Sequence, residues 1–265
     1  MNESARQSWN QWAETCLTEN DRISLELIQE DPRRAFPRDV WDMVTAATPD
    51  LRGKRVLVPS SGDNLAAFGF HLLGAKVTSA DLAEKQLENA ARIADAHGWD
   101  MEFRQADSMT LDGLPDGTYD LIHTSNGAHV WISDLGQMYH SFHRALRPGG
   151  AYVFFDTHPF NRPFDDHGKR LKVVRPYAAT QPFHDPPEYP WRVEDILRAL
   201  LGAGFALRDY RDIQSGPDDI MAFGWFYRSY AQREQDRRAK YDWIKNPGAA
   251  LPSWMGVSAR KEKTE

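Results

Sequence analysis

Residues 53–82, GKRVLVPSSGDNLAAFGFHLLGAKVTSADL, compress a strand, a tight turn, a helix, a second strand and a terminal acid into one short unit. Residues 54–58 form a β-branched run suited to a buried parallel strand. Residues 59–64 hold Pro, two Ser, Gly, Asp and Asn, so the strand stops and turns there. Leu65, Phe68, His71, Leu72 and Leu73 then recur at near-helical spacing, and Gly74 supplies a C-terminal stop. Residues 77–80 give a second strand with Asp81 at its end.

In an open α/β sheet, ligands bind beyond the carboxyl ends of the strands, at the turn into the next helix. Small residues in that turn let backbone amides approach a ligand, and an acid after the second strand can accept both hydrogen bonds of a ribose diol. The turn carries only Gly62, so the GxGxxG dinucleotide fingerprint is absent. That argues against NAD or FAD and leaves other adenosine-bearing cofactors.

The pattern continues downstream. Residues 83–97 predict a helix ended by Gly98, residues 101–105 a third strand and residues 119–124 a fourth. Residues 134–146 predict another helix, after which Arg147-Pro148-Gly149-Gly150 reads as a turn into a fifth strand at 151–156. A helix at 192–203 and strands at 205–213 and 251–259 follow. Such alternation is doubly wound α/β, with helices on both faces of the sheet.

VLVPSSGDN resembles the first motif of the class I S-adenosylmethionine (SAM) dependent methyltransferases, usually VLDLGCGTG, and VTSADLAEKQLENA resembles their second. FRQADSMTLDGLPDGTYDLIHTSNGAHVWISDLGQMYHSFHRALRPGGAYVFFD resembles the family's following run almost end to end. The chain departs from the first motif at Val58, where the family has an acid, and at Ser60 and Asn64, which replace the outer glycines. The resemblance implies a seven-stranded, mostly parallel sheet with the last strand inserted antiparallel. It implies SAM as cofactor, S-adenosylhomocysteine (SAH) as product, and a contact set of Pro59, Ser60, Ser61, Gly62, Asn64, Asp81, Leu82, Gln86, Asp107, Ser108, Met109, Ser125 and Asn126. In that set Asp81 meets the ribose, Asp107 the adenine amino group, and Ser108 and Met109 lie beside the ring. A turn or N-cap acid is the structural alternative for Asp107.

Two stretches stand outside the sheet pattern. Residues 157–191 contain seven of the chain's 16 prolines with Phe160, Arg162 and Tyr177, and residues 217–247 are densely aromatic around Trp225. Long irregular insertions in compact domains are usually functional, so both are expected to form a substrate lid. Residues 1–48 are expected to form a helical cap, and WNQWAETC resembles the aromatic helix covering the cofactor in small-molecule methyltransferases. Trp9 and Trp12 then join the substrate site, or simply pack on the core. The chain reads as one domain with its cofactor-binding core at 53–156.

Methyl transfer from a sulfonium needs chiefly alignment, with a base for weakly acidic acceptors. His158 after the fifth strand and His129 after the fourth are the base candidates, His being suited to proton transfer near neutral pH. The alternative for His158 is a turn residue, and for His129 a loop residue or a cofactor-side contact. No HxH, HxxxH or CxxC spacing points to a metal. The net charge of −6 offers no basic face for nucleic acid or membrane, and the single Cys16 fits a reducing compartment. The expected function is methylation of O or N on a small planar or aromatic metabolite in the cytoplasm, by a monomer or homodimer; the alternative is a non-catalytic SAM-binding protein.

Overall fold

The computed structural model describes residues 3–15, 19–62, 64–164, 171–184, 186–214 and 241–263. Seven strands form one sheet: β1 (Arg55–Pro59), β2 (Lys76–Asp81), β3 (Glu102–Gln105), β4 (Tyr119–Thr124), β5 (Leu146–Thr157), β6 (Phe205–Ile213) and β7 (Trp254–Lys261). Their order is β3-β2-β1-β4-β5-β7-β6. The first five run parallel, and β7 runs antiparallel between β5 and β6.

Alternating side chains of the central strands feed two cores, as the two-residue strand period requires. Val56 and Val58 face one core, with Val40, Met43, Phe68 and Phe70 from α3 (Arg38–Ala47) and α4 (Leu65–Leu72). Leu57 faces the other, with Met138, Tyr139, Phe142 and Leu200 from α6 (Leu135–Ala145) and α7 (Val193–Gly202). Burying both faces explains why the central strands read as continuous apolar runs.

The N-terminal region divides instead of forming one cap. α1 (Glu3–Thr15) packs on α5 (Glu84–His97), near the carboxyl edge of the sheet. α2 (Glu19–Glu30) and α3 join the core through Ile28, Val40 and Val44, all fully buried. Gly69 makes this docking possible: a Cβ there would come within 2.6 Å of Ala35 Cβ.

Two boundaries differ from expectation. The Arg147-Pro148-Gly149-Gly150 stretch lies inside β5, where a register shift opposite Tyr119 and Leu121 and a left-handed Gly149 (φ +77°) absorb the kink as a bulge. β7 starts at Trp254, later than 251, because pairing with Thr157 of β5 and Ile213 of β6 fixes its first residue. Of the second expected lid, residues 217–240, including Trp225, lie outside the described residues. No helix among the described residues is long and apolar enough to cross a membrane.

Candidate functional site

A cleft of about 870 Å³ opens at the carboxyl ends of four neighbouring strands. Ser60, Ser61 and Gly62 follow β1, Asp81 and Leu82 end β2, Asp107, Ser108 and Met109 follow β3, and Ser125 to Ala128 follow β4. The cleft sits where the chain reverses direction between β1 and β4, the switch point at which doubly wound sheets bind ligands.

The turn after β1 keeps an unusual backbone. Ser60, Gly62 and Asn64 have φ of 49°, 62° at Asn64 and 52° at Gly62, so three alternate residues are left-handed although only one is glycine. Side chains hold the two exceptions. Ser60 Oγ is 2.7 Å from Ser108 Oγ, which ties the β1 turn to the β3 turn. Asn64 Nδ2 donates to the Gly62 carbonyl at 2.8 Å, and its Oδ1 accepts from the buried Ser79 hydroxyl. Ser79 Oγ also lies 2.9 Å from Ser61 Oγ.

Asp81 locks to the same turn. Its Oδ2 accepts the Gly62 amide at 3.0 Å, and its Oδ1 accepts the Ala83 amide at 2.9 Å. Burial pushes its carboxyl above the ordinary aspartate range, against the pull of the Ala83, Gly62 and Leu82 amides. Asp107 Oδ1 accepts the Met109 amide at 2.9 Å, an acid-capped turn of the kind the sequence alternative described, while the residue also lines the cleft.

The open side is closed by aromatic rings. Trp9 stands edge-on to Trp12 at 5.4 Å and to Trp131 at 5.6 Å, and all three line the cleft with Ala5 and Ile132. α1 is pinned there by Arg6 to Glu84 at 2.7 Å, by the Lys85 amide to Asn10 at 3.1 Å, and by Asn89 to the Ala13 carbonyl at 2.9 Å.

Ten of the thirteen expected cofactor residues therefore line one cleft. Pro59, Asn64 and Gln86 do not: each is buried behind it, and Asn64 acts as a buttress. Trp131, Gly127 and Ala128 were missed, although Trp131 shares the loop of Asn126 and follows a strand end just as Asn126 does.

His129 and His158, the expected bases, are both buried away from the cleft. His129 is buried, with Nδ1 2.5 Å from Asp156 Oδ2 and Nε2 2.7 Å from the Tyr139 hydroxyl. His158 is wholly buried, with Nε2 2.9 Å from Asp212 Oδ1 and Nδ1 accepting the Phe160 amide at 3.2 Å. Neither lines the cleft, and neither has a ring nitrogen left for a substrate. Phe160, Arg162 and Tyr177 are also absent from its lining. Their insertion adjoins it from behind, since the Tyr189 amide donates to Val130 at 2.7 Å and Trp191 Nε1 to Ile132 at 2.8 Å.

Fold and cleft define a doubly wound α/β protein with an open cleft at its topological switch point. Residues 60–150 match the family model for a methyltransferase domain. The chain is similar to a crystal structure of an S-adenosylmethionine dependent methyltransferase from Mesorhizobium loti, at 25% identity and TM-score 0.61, over 83% of this chain and 96% of that one. It is 33% identical over 124 residues to the malonyl-[acyl-carrier protein] O-methyltransferase of Pseudescherichia vulneris, 47% of each chain. It is 32% identical over 111 residues to the demethylmenaquinone methyltransferase of Thermus thermophilus, covering 40% of this chain and 48% of that one. The chain spans about half the length of the curated relatives it matches. Residues 60–150 thus form a methyltransferase domain, carried on a fold similar to that of SAM-dependent methyltransferases, and SAM is its cofactor.

The residues present fit that group. A buried carboxylate beside a left-handed turn offers acceptors to a diol and amides to a carboxylate, and the walls are small or aromatic.

Proposed function

We propose that the protein transfers the methyl group of SAM to an oxygen or nitrogen of a small, planar or aromatic molecule. The observation that carries this reading is the convergence of Asp81, the left-handed turn at Ser60 to Asn64, Asp107 and three tryptophans on one cleft. In this reading Asp81 accepts the ribose hydroxyls, Asp107 accepts from the adenine amino group, and the turn amides with Ser125 and Asn126 hold the amino-acid end. Bound there, SAM supplies an electrophilic methyl carbon.

The chain's own part is alignment. Among the described residues the cleft lining includes no histidine, and Asp81 and Asp107 are engaged with backbone amides. Holding nucleophile and methyl in line at about 3–3.5 Å can contribute roughly 7–11 kcal/mol, so an already nucleophilic acceptor suffices. Trp9, Trp12 and Trp131 give a planar acceptor flat, apolar walls and exclude water. The O-methyltransferase named among the relatives supports oxygen as acceptor.

Val58, buried in the core where the family carries an acid, favours a second reading as a SAM-binding protein without methyl transfer. Calorimetry with SAH, followed by SAM turnover against a metabolite panel, tests both. SAH binding with turnover supports the first reading, and SAH binding without turnover supports the second. No SAH binding sinks both.

A further inference from the structure

The loop after β4 faces the cleft on both sides of one residue that turns away from it. Residues 125–128 and 131–132 line the cleft, whereas His129 between them is buried behind it. β4 ends at Thr124, and Asn126 (φ +58°) and Gly127 (φ +94°) are both left-handed. Such a path is set by the bonds that hold it, because no sheet or helix ladder dictates it.

His129 ties this loop to two elements beneath it, β5 through Asp156 and α6 through Tyr139. Asp156 Oδ2 accepts the His129 amide at 2.9 Å and meets the ring Nδ1 at 2.5 Å, while Nε2 lies 2.7 Å from the Tyr139 hydroxyl. Burial would raise the Asp156 carboxyl, but the imidazole and amide of His129 hold it below the ordinary aspartate range. Asp156 is therefore an acceptor, and Nδ1 carries the proton. One carboxylate oxygen thus fixes the backbone and the ring of His129 together. All three side chains are buried, so losing any partner leaves an enclosed polar atom.

The two halves of the loop depend on this anchor unequally. Downstream, His129 opens the single turn that carries Trp131, whose ring meets Trp9 at 5.6 Å. That half has further supports, since the Tyr189 amide donates to Val130 and Trp191 Nε1 to Ile132. Upstream, the Asn126 amide donates to the Phe155 carbonyl at 3.1 Å, and His129 is the next anchor along the chain. Loss of the His129 ring should therefore fall chiefly on residues 125–128.

We propose that His129 is a positioning residue: the Asp156–His129–Tyr139 network sets the loop so that Ser125 and Asn126 meet the amino-acid end of SAM. The proposal rests on the methyl-transfer reading above, which puts that end against Ser125 and Asn126 and the adenosine against Asp81 and Asp107. The two ends of the ligand then answer to different parts of the chain. A change at His129 acts on one end, whereas a general loosening of the fold acts on both.

SAH and 5′-methylthioadenosine separate the two ends, because the second keeps the adenosine and lacks the amino-acid group. Both are titrated by calorimetry into protein shown to be folded by its denaturant midpoint. His129→Ala should weaken SAH by about tenfold or more and methylthioadenosine by less than about threefold. His129→Asn returns an N–H donor for Asp156 and should recover SAH binding to within about threefold of the unaltered protein. Tyr139→Phe removes the Nε2 partner alone and serves if His129→Ala fails to fold, with SAH weakened by about threefold or more and methylthioadenosine unchanged. In whichever variant folds, equal losses of the two ligands or an unchanged SAH affinity would overturn the proposal, as would a His129→Asn variant no better than His129→Ala. An unaltered protein that binds neither ligand would overturn the methyl-transfer reading and this role together, whereas normal binding with an unchanged ratio in the variants would overturn this role alone.

Discussion

Asp81 and Gly62, 19 residues apart in sequence, are joined by a 3.0 Å hydrogen bond from the Gly62 amide to Asp81 Oδ2. The acid that ends β2 and the turn that follows β1 are therefore one unit. Hydroxyls donated to Asp81 meet a carboxylate already oriented by two amides. Its geometry is set before any ligand arrives.

Asp81→Asn keeps the shape and removes the charge. Losing a charge-assisted hydrogen bond costs about 1.5–3 kcal/mol, so SAH affinity should fall by about tenfold or more in calorimetry. The pH dependence follows from the raised Asp81 pKa. As pH falls through that value the free carboxyl protonates, so affinity should fall on the acid side, and binding there should release a proton. Buffers of differing ionisation enthalpy would detect it. A persistent acid limb in the Asn variant would assign the titration to another group.

Ser60→Gly and Asn64→Gly both install the glycine that the family motif carries, at two left-handed positions. Relief of backbone strain at Ser60 is offset by loss of its bond to Ser108, leaving stability within about 1 kcal/mol. Asn64→Gly removes the buried bond to Ser79 and the part-buried bond to the Gly62 carbonyl, so it should destabilise by about 1–3 kcal/mol. Denaturant midpoints compare them directly. Equal effects would mean that the Asn64 side chain is not the buttress.

The sheet was legible because its strands must read as apolar runs when both faces are covered, as Val56 to Val58 and Leu121 to Ile122 do. Most of the cleft lining was legible for the same topological reason, since the residues directly after β1 to β4 supply it. The histidines were not. Following a strand end puts a residue near the cleft but does not orient its side chain, and His129 turns inward to Asp156 and Tyr139. Trp131 was hidden because an aromatic in a loop carries no periodicity.

His158→Ala tests the corrected role. The ring receives the Phe160 amide and meets Asp212, so its removal should lower stability by about 1–3 kcal/mol through the loss of both bonds. SAH affinity should stay within about 0.5 kcal/mol, as for changes away from a site. A kcat loss of roughly 10²-fold or more at full folding would restore it as a base.

His123 should give the protein an acid-sensitive core. It lies on β4, wholly buried among Phe36, Phe70 and Phe155. Its Nδ1 lies 2.8 Å from the Val153 carbonyl, to which it donates, and Nε2 is enclosed with no partner among the described residues. Burial pulls its pKa down to about 4, with the Val153 bond opposing. An unfolded histidine titrates near about 6.5, so as pH falls the unfolded chain takes up the proton first. Stability from this residue is flat above about pH 6.5, declines below it, and levels near the folded value, a total of about 3 kcal/mol. By about pH 5 roughly 2 kcal/mol should be gone. His123→Phe preserves the aromatic packing and removes the titrating nitrogen. Denaturant unfolding at about pH 7 and about pH 5 should therefore show a loss in the unaltered protein larger by about 2 kcal/mol than in the variant. Equal losses would mean that the ring is reached by water or paired when charged, and that other groups set the acid limit.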